Sequence, residues 1–295
     1  MLYLFSLCLA TLFVFFPSAA HAWGPIAHLH FAQTVLSQSA ALPQLVRNII
    51  TSFPNDFLYG ALAADITIAK RFVEYIHNCH NWDVGLKILK GAKTEDSQAF
   101  AYGYLCHLGV DCVSHNYFVP YQLVAHFRTR VLRHIYWEMR YDTALHMPEL
   151  AKFARDIVKK RRYSHHDHYL DSVLKRTLFS FKVNRTIFSG LILLHDLNHW
   201  QKTTHQIMKK SKWELPQSDV KELKDLAVKN ALDFLSGFEE SHAYTKDPSG
   251  YHALSTAKKL RRELKRRYRF GGLSEKDIPK ELSLVKTNFK TKLLE

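Results

Sequence analysis

The stretch AFAYGYLCHLGVDCVSHNYF, residues 99–118, decides how the chain is read. Its apolar residues recur at helical spacing, and a helix is predicted over 95–118. Within it His107, Asp111 and His115 form H-x-x-x-D-x-x-x-H. At about 100° per residue, each step of four turns the face by only about 40°, so the three side chains project within an arc of about 80°. Two imidazoles and a carboxylate on one helix face can hold a metal ion. A chain with 18 histidines produces this spacing by chance now and then. Its weight therefore depends on its neighbours.

One neighbour repeats the spacing. His134 and Glu138 stand at i, i+4 on the next predicted helix. Two adjoining helices that turn imidazoles and carboxylates into a shared interior build multinuclear metal sites, although an exposed His/Glu pair is the commoner meaning of that spacing. Upstream lie Tyr59-Gly60-Ala61-Leu62-Ala63-Ala64-Asp65 and His77-Asn78-Cys79-His80-Asn81-Trp82. A carboxylate after a run of small residues can approach a buried metal closely. Taken alone, Asp65 is equally a helix cap, and His77 or His80 a core histidine.

Further outward, helical periodicity covers about 26–38, 43–52, 121–145, 147–161, 168–181 and 218–237, the last with Ser218 as N-cap and Gly237 as stop. Turn residues fall between these runs, and alternating strand-like runs are scarce. An all-α fold is expected: a single helical domain over 23–246, followed by a basic helical extension over 247–295. In that extension Lys258, Lys259, Arg261, Arg262, Lys265, Arg266, Arg267 and Arg269 surround an apolar stripe of Leu254, Ala257, Leu260, Leu264 and Tyr268. Such a helix either lies on an anionic membrane surface or docks by its stripe onto the domain.

With 47% hydrophobic and 23% charged residues, the 295-residue chain has the composition of a folded globular protein and not of a disordered one. A net charge of +14 favours anionic partners without choosing among phosphates, nucleic acid and membrane. Residues 2–16 (LYLFSLCLATLFVFF), with Ala20-His21-Ala22 after them, read as a secretory signal over 1–22 cleaved behind Ala22. The expected destination is the periplasm or the medium, with an uncleaved anchor as the alternative. Cys79, Cys106 and Cys112 then remain, enough for one disulfide or for three buried thiols.

Taken in order, Trp23-Gly24-Pro25-Ile26-Ala27-His28 at the cleavage site, Asp65, His80, the 107–115 motif and His134 with Glu138 resemble the zinc-dependent phospholipase C and single-strand nuclease superfamily. The likeness spans about 23–142. It implies three zinc ions in a cleft of an all-α domain: one held by Asp65, His80, His107 and Asp111, a second by His115, His134 and Glu138. The third would take Asp111 again, His28, and the amino group and carbonyl of Trp23. His80 is preferred to His77 because its distance from Asp65 suits the family. The four-residue step from Asp111 to His115, in place of six in the best-known members, is similar to the bacterial zinc-dependent phospholipase C branch.

The resemblance implies phosphodiester hydrolysis, most naturally of a phospholipid on the glycerol side of the phosphate, with Asp65 as the catalytic carboxylate that orients or deprotonates the attacking water. A nuclease acting on single-stranded nucleic acid through the same metals is the alternative, and a zinc-stabilised lipid-binding protein without turnover a third. His165, His166 and His168 around Asp167, and His195, His199 and His205, match no family ligand position and read as loop or core histidines.

Overall fold

The computed structural model describes residues 23–66, 79–129, 134–145, 147–159, 163–174, 181–196, 206, 211 and 213–295. The segment 1–22, His77, His199 and His205 lie outside them. Among the described residues there is no strand, and the fold is all-α as expected. No helix among them is long and apolar enough to cross a membrane.

The helices are α1 (Pro25–Ser37), α2 (Gln44–Ser52), α3 (Pro54–Ala63), α4 (Trp82–Gly91), α5 (Glu95–Val113), α6 (Val119–Ala125), α7 (His134–Leu145), α8 (Pro148–Lys159), α9 (Ser164–Val173), α10 (Phe181–Asp196), α11 (Gln217–Gly237), α12 (Tyr251–Arg269) and α13 (Ile278–Leu294). Helix α5 is central, and every residue from Ala99 to Val113 is buried. A helix buried all round needs neighbours on every side. It packs against α3, α4 and α11, with α1 and α2 adding smaller contacts.

Small residues set how closely these helices approach. A β-carbon on Gly60 would lie 2.0 Å from the Phe100 carbonyl oxygen, and one on Gly103 would lie 1.9 Å from that of Phe57. Helices α3 and α5 therefore meet backbone to backbone. On another side of α5, Asn230 of α11 donates to the Gly109 carbonyl at 2.7 Å, and Trp82 stacks on Phe234 with ring centroids 3.9 Å apart.

Several boundaries differ from the sequence expectation. The helix predicted over 121–145 is two helices, because the chain leaves α6 at His126, whose carbonyl is taken by the Thr129 amide and hydroxyl, both at 3.1 Å. Such local closure competes with helix continuation. The helix from 95 ends at Val113 and runs into a π-helical turn, Ser114–Phe118. In place of one helix over 168–181 there are α9 and α10. Helix α11 starts at Gln217 without a side-chain cap, so Ser218 is not its cap, while Gly237 ends it as expected. Cys79, Cys106 and Cys112 are buried free thiols, and no disulfide forms.

Residues 247–295 pack on the domain through α12 and α13. Ala257, Leu264, Ile278, Val285, Phe289 and Leu293 are buried, and Leu254, Leu260 and Tyr268 pack against the core. The apolar stripe of the basic helix is thus covered by protein. Lys258, Lys259, Arg262, Arg266 and Arg269 remain exposed.

Candidate metal centre

The close approach of α3 and α5 aligns the end of one with the end of the other. Asp65 follows α3, and His107 and Asp111 occupy the last two turns of α5. His28 enters from α1 and His80 from the segment before α4. The resulting group is compact. His80 Nε2 lies 2.9 Å from Asp111 Oδ2 and 3.4 Å from Asp65 Oδ1. His107 Nε2 lies 3.2 Å from Asp111 Oδ2, 3.9 Å from Asp65 Oδ1 and 3.0 Å from His80 Nε2. His28 Nε2 is 3.3 Å from Asp111 Oδ1 and 3.8 Å from Asp65 Oδ2. All five side chains are buried.

Each imidazole is oriented from behind. His107 Nδ1 is 2.8 Å from the Ala61 carbonyl, which makes it the donor there and leaves Nε2 as a lone pair facing the carboxylates. The Cys79 thiol sits 3.4 Å from His80 Nδ1, and the Tyr104 hydroxyl donates to the Cys79 carbonyl at 2.6 Å, fixing the chain just before His80. His28 stacks on His107 with ring centroids 3.8 Å apart and planes 10° from parallel.

A second group adjoins the first across His80 and His115, whose rings are 6.3 Å apart. His115 stands in the π-helical turn, and its Nδ1 is 2.5 Å from the Pro248 carbonyl, so its Nε2 faces inward. The His134 ring crosses it edge-on at 5.0 Å, and His134 Nε2 lies 3.0 Å from Glu138 Oε1. Trp23 is buried through its indole, which donates to the Val110 carbonyl at 2.9 Å and stacks on Phe118 with centroids 5.2 Å apart. Asp142, unmentioned by the sequence reading, accepts from the Ile26 and Ala27 amides and anchors the start of α1. Burial raises its carboxyl to about 7.

The protonation states suit metal binding. Burial, reinforced by His107, lowers His28 to about 3; burial also lowers His115 to about 3. Both are therefore neutral near pH 7, the form in which an imidazole can bind a metal. Burial alone would raise the Asp111 carboxyl, yet His107 and His28 beside it hold it well below the usual carboxylate range.

The donors fit zinc on their own geometry. Among the described residues, both nitrogens of His28, both oxygens of Asp111 and Nε2 of His115 are buried without a hydrogen-bond partner, although nitrogen and oxygen approach within 2.9–3.3 Å around Asp111. Lone pairs aimed at a common point, and not at one another, produce this arrangement. Without a cation such buried, unpaired groups are costly. Nitrogen and carboxylate oxygen donors are a set zinc accepts, and His28, His107 and Asp111, like Asp65, His80 and His107, each offer atoms within 4.8 Å of one another.

His28, Asp65, His80, His107 and Asp111 lie in the first group and His115, His134 and Glu138 in the second, while Trp23 is held by its indole at Val110, the residue before Asp111. The backbone carbonyls of Ala61 and Pro248, which orient His107 and His115, carry no side-chain signal and were not foreseen. Of the histidines that match no family ligand position, His165 and His166 lie on α9, each paired with a carboxylate, and His166 is a buried core histidine. Compared with known proteins, the family model described as zinc dependent phospholipase C matches residues 27–188, more than half of the chain. No curated protein and no solved structure matches it.

Proposed function

Because the chain belongs to the zinc dependent phospholipase C family, we propose that it is a phospholipase C that releases the phosphorylated head group of a glycerophospholipid. Zinc is its cofactor, and the family's chemistry is phosphodiester hydrolysis. The observation that carries the reading is the convergence of His28, Asp65, His80, His107 and Asp111 from four segments, with the buried nitrogens of His28 and oxygens of Asp111 lacking a hydrogen-bond partner among the described residues.

In this reading Asp65, His80, His107 and Asp111 hold one zinc, and His115, His134 and Glu138 a second. The third is held by Asp111, His28, and the amino group and carbonyl of Trp23. Zinc, when bound, supplies Lewis-acid activation of water and neutralises charge on the phosphoryl group. Asp65 Oδ1 lies 3.4 Å from His80 Nε2 and 3.9 Å from His107 Nε2, and its Oδ2 lies 3.8 Å from His28 Nε2. Asp65 is the carboxylate that orients or deprotonates the attacking water. Asp111, fully buried and kept ionised, binds and orients without entering the proton transfer.

Cleavage behind Ala22 and export complete the proposal, since only a processed chain presents a free α-amino group at Trp23. The exposed Lys258, Lys259, Arg262, Arg266 and Arg269 attract an anionic membrane surface by charge alone, because the stripe beneath them is covered.

The test compares the mature protein on phosphatidylcholine vesicles, anionic phospholipid vesicles and single-stranded DNA, with and without chelator. Chelator-sensitive head-group release with intact DNA is expected. DNA cleavage with intact lipid would replace the lipid reading by the nuclease one. Binding of vesicles without turnover would leave a lipid-binding protein, and full turnover after verified zinc removal would overturn the metal mechanism.

A further inference from the structure

We propose that Asp56, Asp96, His165 and His166 form a separate structural site for one divalent transition-metal ion, zinc in the first instance, at the opposite end of the α3/α5 pair from the catalytic cluster. One ligand atom from each of the four lies within 4.8 Å of every other. His166 Nε2 is 2.9 Å from Asp56 Oδ1, and His165 Nε2 is 3.0 Å from Asp96 Oδ2.

The arrangement is unusual for neighbours on a helix. Consecutive residues point about 100° apart, yet the His165 and His166 rings have converged to a centroid separation of 3.8 Å. The His166 ring is fully buried, stacked on Phe100 at 4.5 Å, and its Nδ1 has no hydrogen-bond partner. His165 is half exposed and gives an ion a way in.

Charge and donor type point the same way. Two carboxylates balance the charge of a divalent cation, and with one nitrogen from each of the two imidazoles they supply the four donors of a structural zinc site. Among the described residues the ion-pair partners of Asp56 and Asp96 are these two imidazoles. The neighbouring Asp167 is already engaged by Arg185 at 3.0 Å and by the Tyr59 hydroxyl, and so stays outside the set.

Asp56 and Asp96 stand in the first turns of α3 and α5, while Asp65 and Asp111 stand at their far ends. At 1.5 Å per residue the two sites are on the order of 15–20 Å apart. An ion at the first would clamp the starts of the two helices whose ends carry the catalytic donors.

The bland reading is two independent His–Asp ion pairs, and His165→Arg separates the two. Arginine keeps the attraction to Asp96 but ligates no metal. The purified, zinc-loaded protein and its His165→Arg and Asp96→Asn variants are compared for zinc per chain and for the change in Tm on adding chelator. Both positions are partly exposed, so the variants fold. The expected result is that each variant loses one zinc per chain, keeps its hydrolytic activity, and has a Tm several degrees lower. Because the readout is a difference from the parent protein, it does not depend on how many ions the catalytic cluster holds. Unchanged zinc content in both variants would overturn the proposal, as would His165→Arg matching the parent in zinc content and Tm.

Discussion

Gly60 of α3 and Phe100 of α5 touch without any side chain between them: a β-carbon on the glycine would sit 2.0 Å from the phenylalanine carbonyl oxygen. That contact brings the Ala61 carbonyl to His107 and Asp65 to Asp111. Gly60→Ala should therefore destabilise the protein by about 3 kcal/mol or more, since backbone cannot yield as a flexible side chain does. Among the described residues, nothing would lie within 4 Å of a β-carbon on Gly190, in α10. Gly190→Ala should stabilise by up to about 1 kcal/mol. Urea unfolding of the two variants should shift the midpoint in opposite directions.

Asp111→Asn should be the most damaging conservative change in the site. Its two oxygens face three imidazoles, His28 on one side and His80 with His107 on the other. Metal analysis should show at least one zinc missing and hydrolysis lost. Parent stoichiometry in the variant would remove Asp111 from its bridging place.

Gly250 has φ +59°, and a β-carbon there would lie 2.4 Å from His115 Cβ. Gly250→Ala should cost about 2–3 kcal/mol through backbone conformation and overlap together. It should also lower zinc content, because the displaced partner is a proposed ligand. A variant destabilised to that extent yet binding its full complement of zinc would separate His115 from the metal.

In the chelated protein, stability should fall on acidification. His28 and His115 titrate near 3 when folded and near 6.5 when unfolded. Between those values the unfolded chain binds more protons, so stability is full above about pH 6.5 and is lost as pH drops toward 3. Each histidine contributes up to about 1.4 kcal/mol per pH unit in that window. Urea midpoints at pH 7.5 and 5.5 should show the drop, and His28→Gln should flatten it.

A protein beginning at Trp23 should bind one more zinc than the same protein carrying an extra N-terminal Met, and should turn over faster. The α-amino group, with an ordinary pKa of about 7.7–8.0, coordinates only when free and unprotonated. Equal zinc and equal rates would confine Trp23 to the packing role that its stacked indole already fills.

The candidate metal centre was legible wherever the spacing of its residues is local. His107, Asp111 and His115 lie on successive turns, and His134 with Glu138 on one helix, so sequence separation alone places them. His165 and His166 were not legible, because their carboxylate partners stand 69 and 110 residues away and adjacency gives no hint that the rings converge. Helix α3 escaped for another reason. Phe57 to Ala63 are all buried, so it shows no polar face and no amphipathic period. Helix α13 did carry a signal, with Val285, Phe289 and Leu293 four residues apart, but it was overshadowed by the basic run before it.

The Pro248 carbonyl that aligns His115 lies 133 residues further along the chain. During synthesis, His107 and Asp111 are added long before the residue that fixes the orientation of His115. A ribosome must add nearly the whole sequence before the second metal group can be completed. The surroundings of His115 stay unfinished until the segment bearing Pro248 has docked, so a truncation before residue 248 would leave that imidazole without the carbonyl that aligns it.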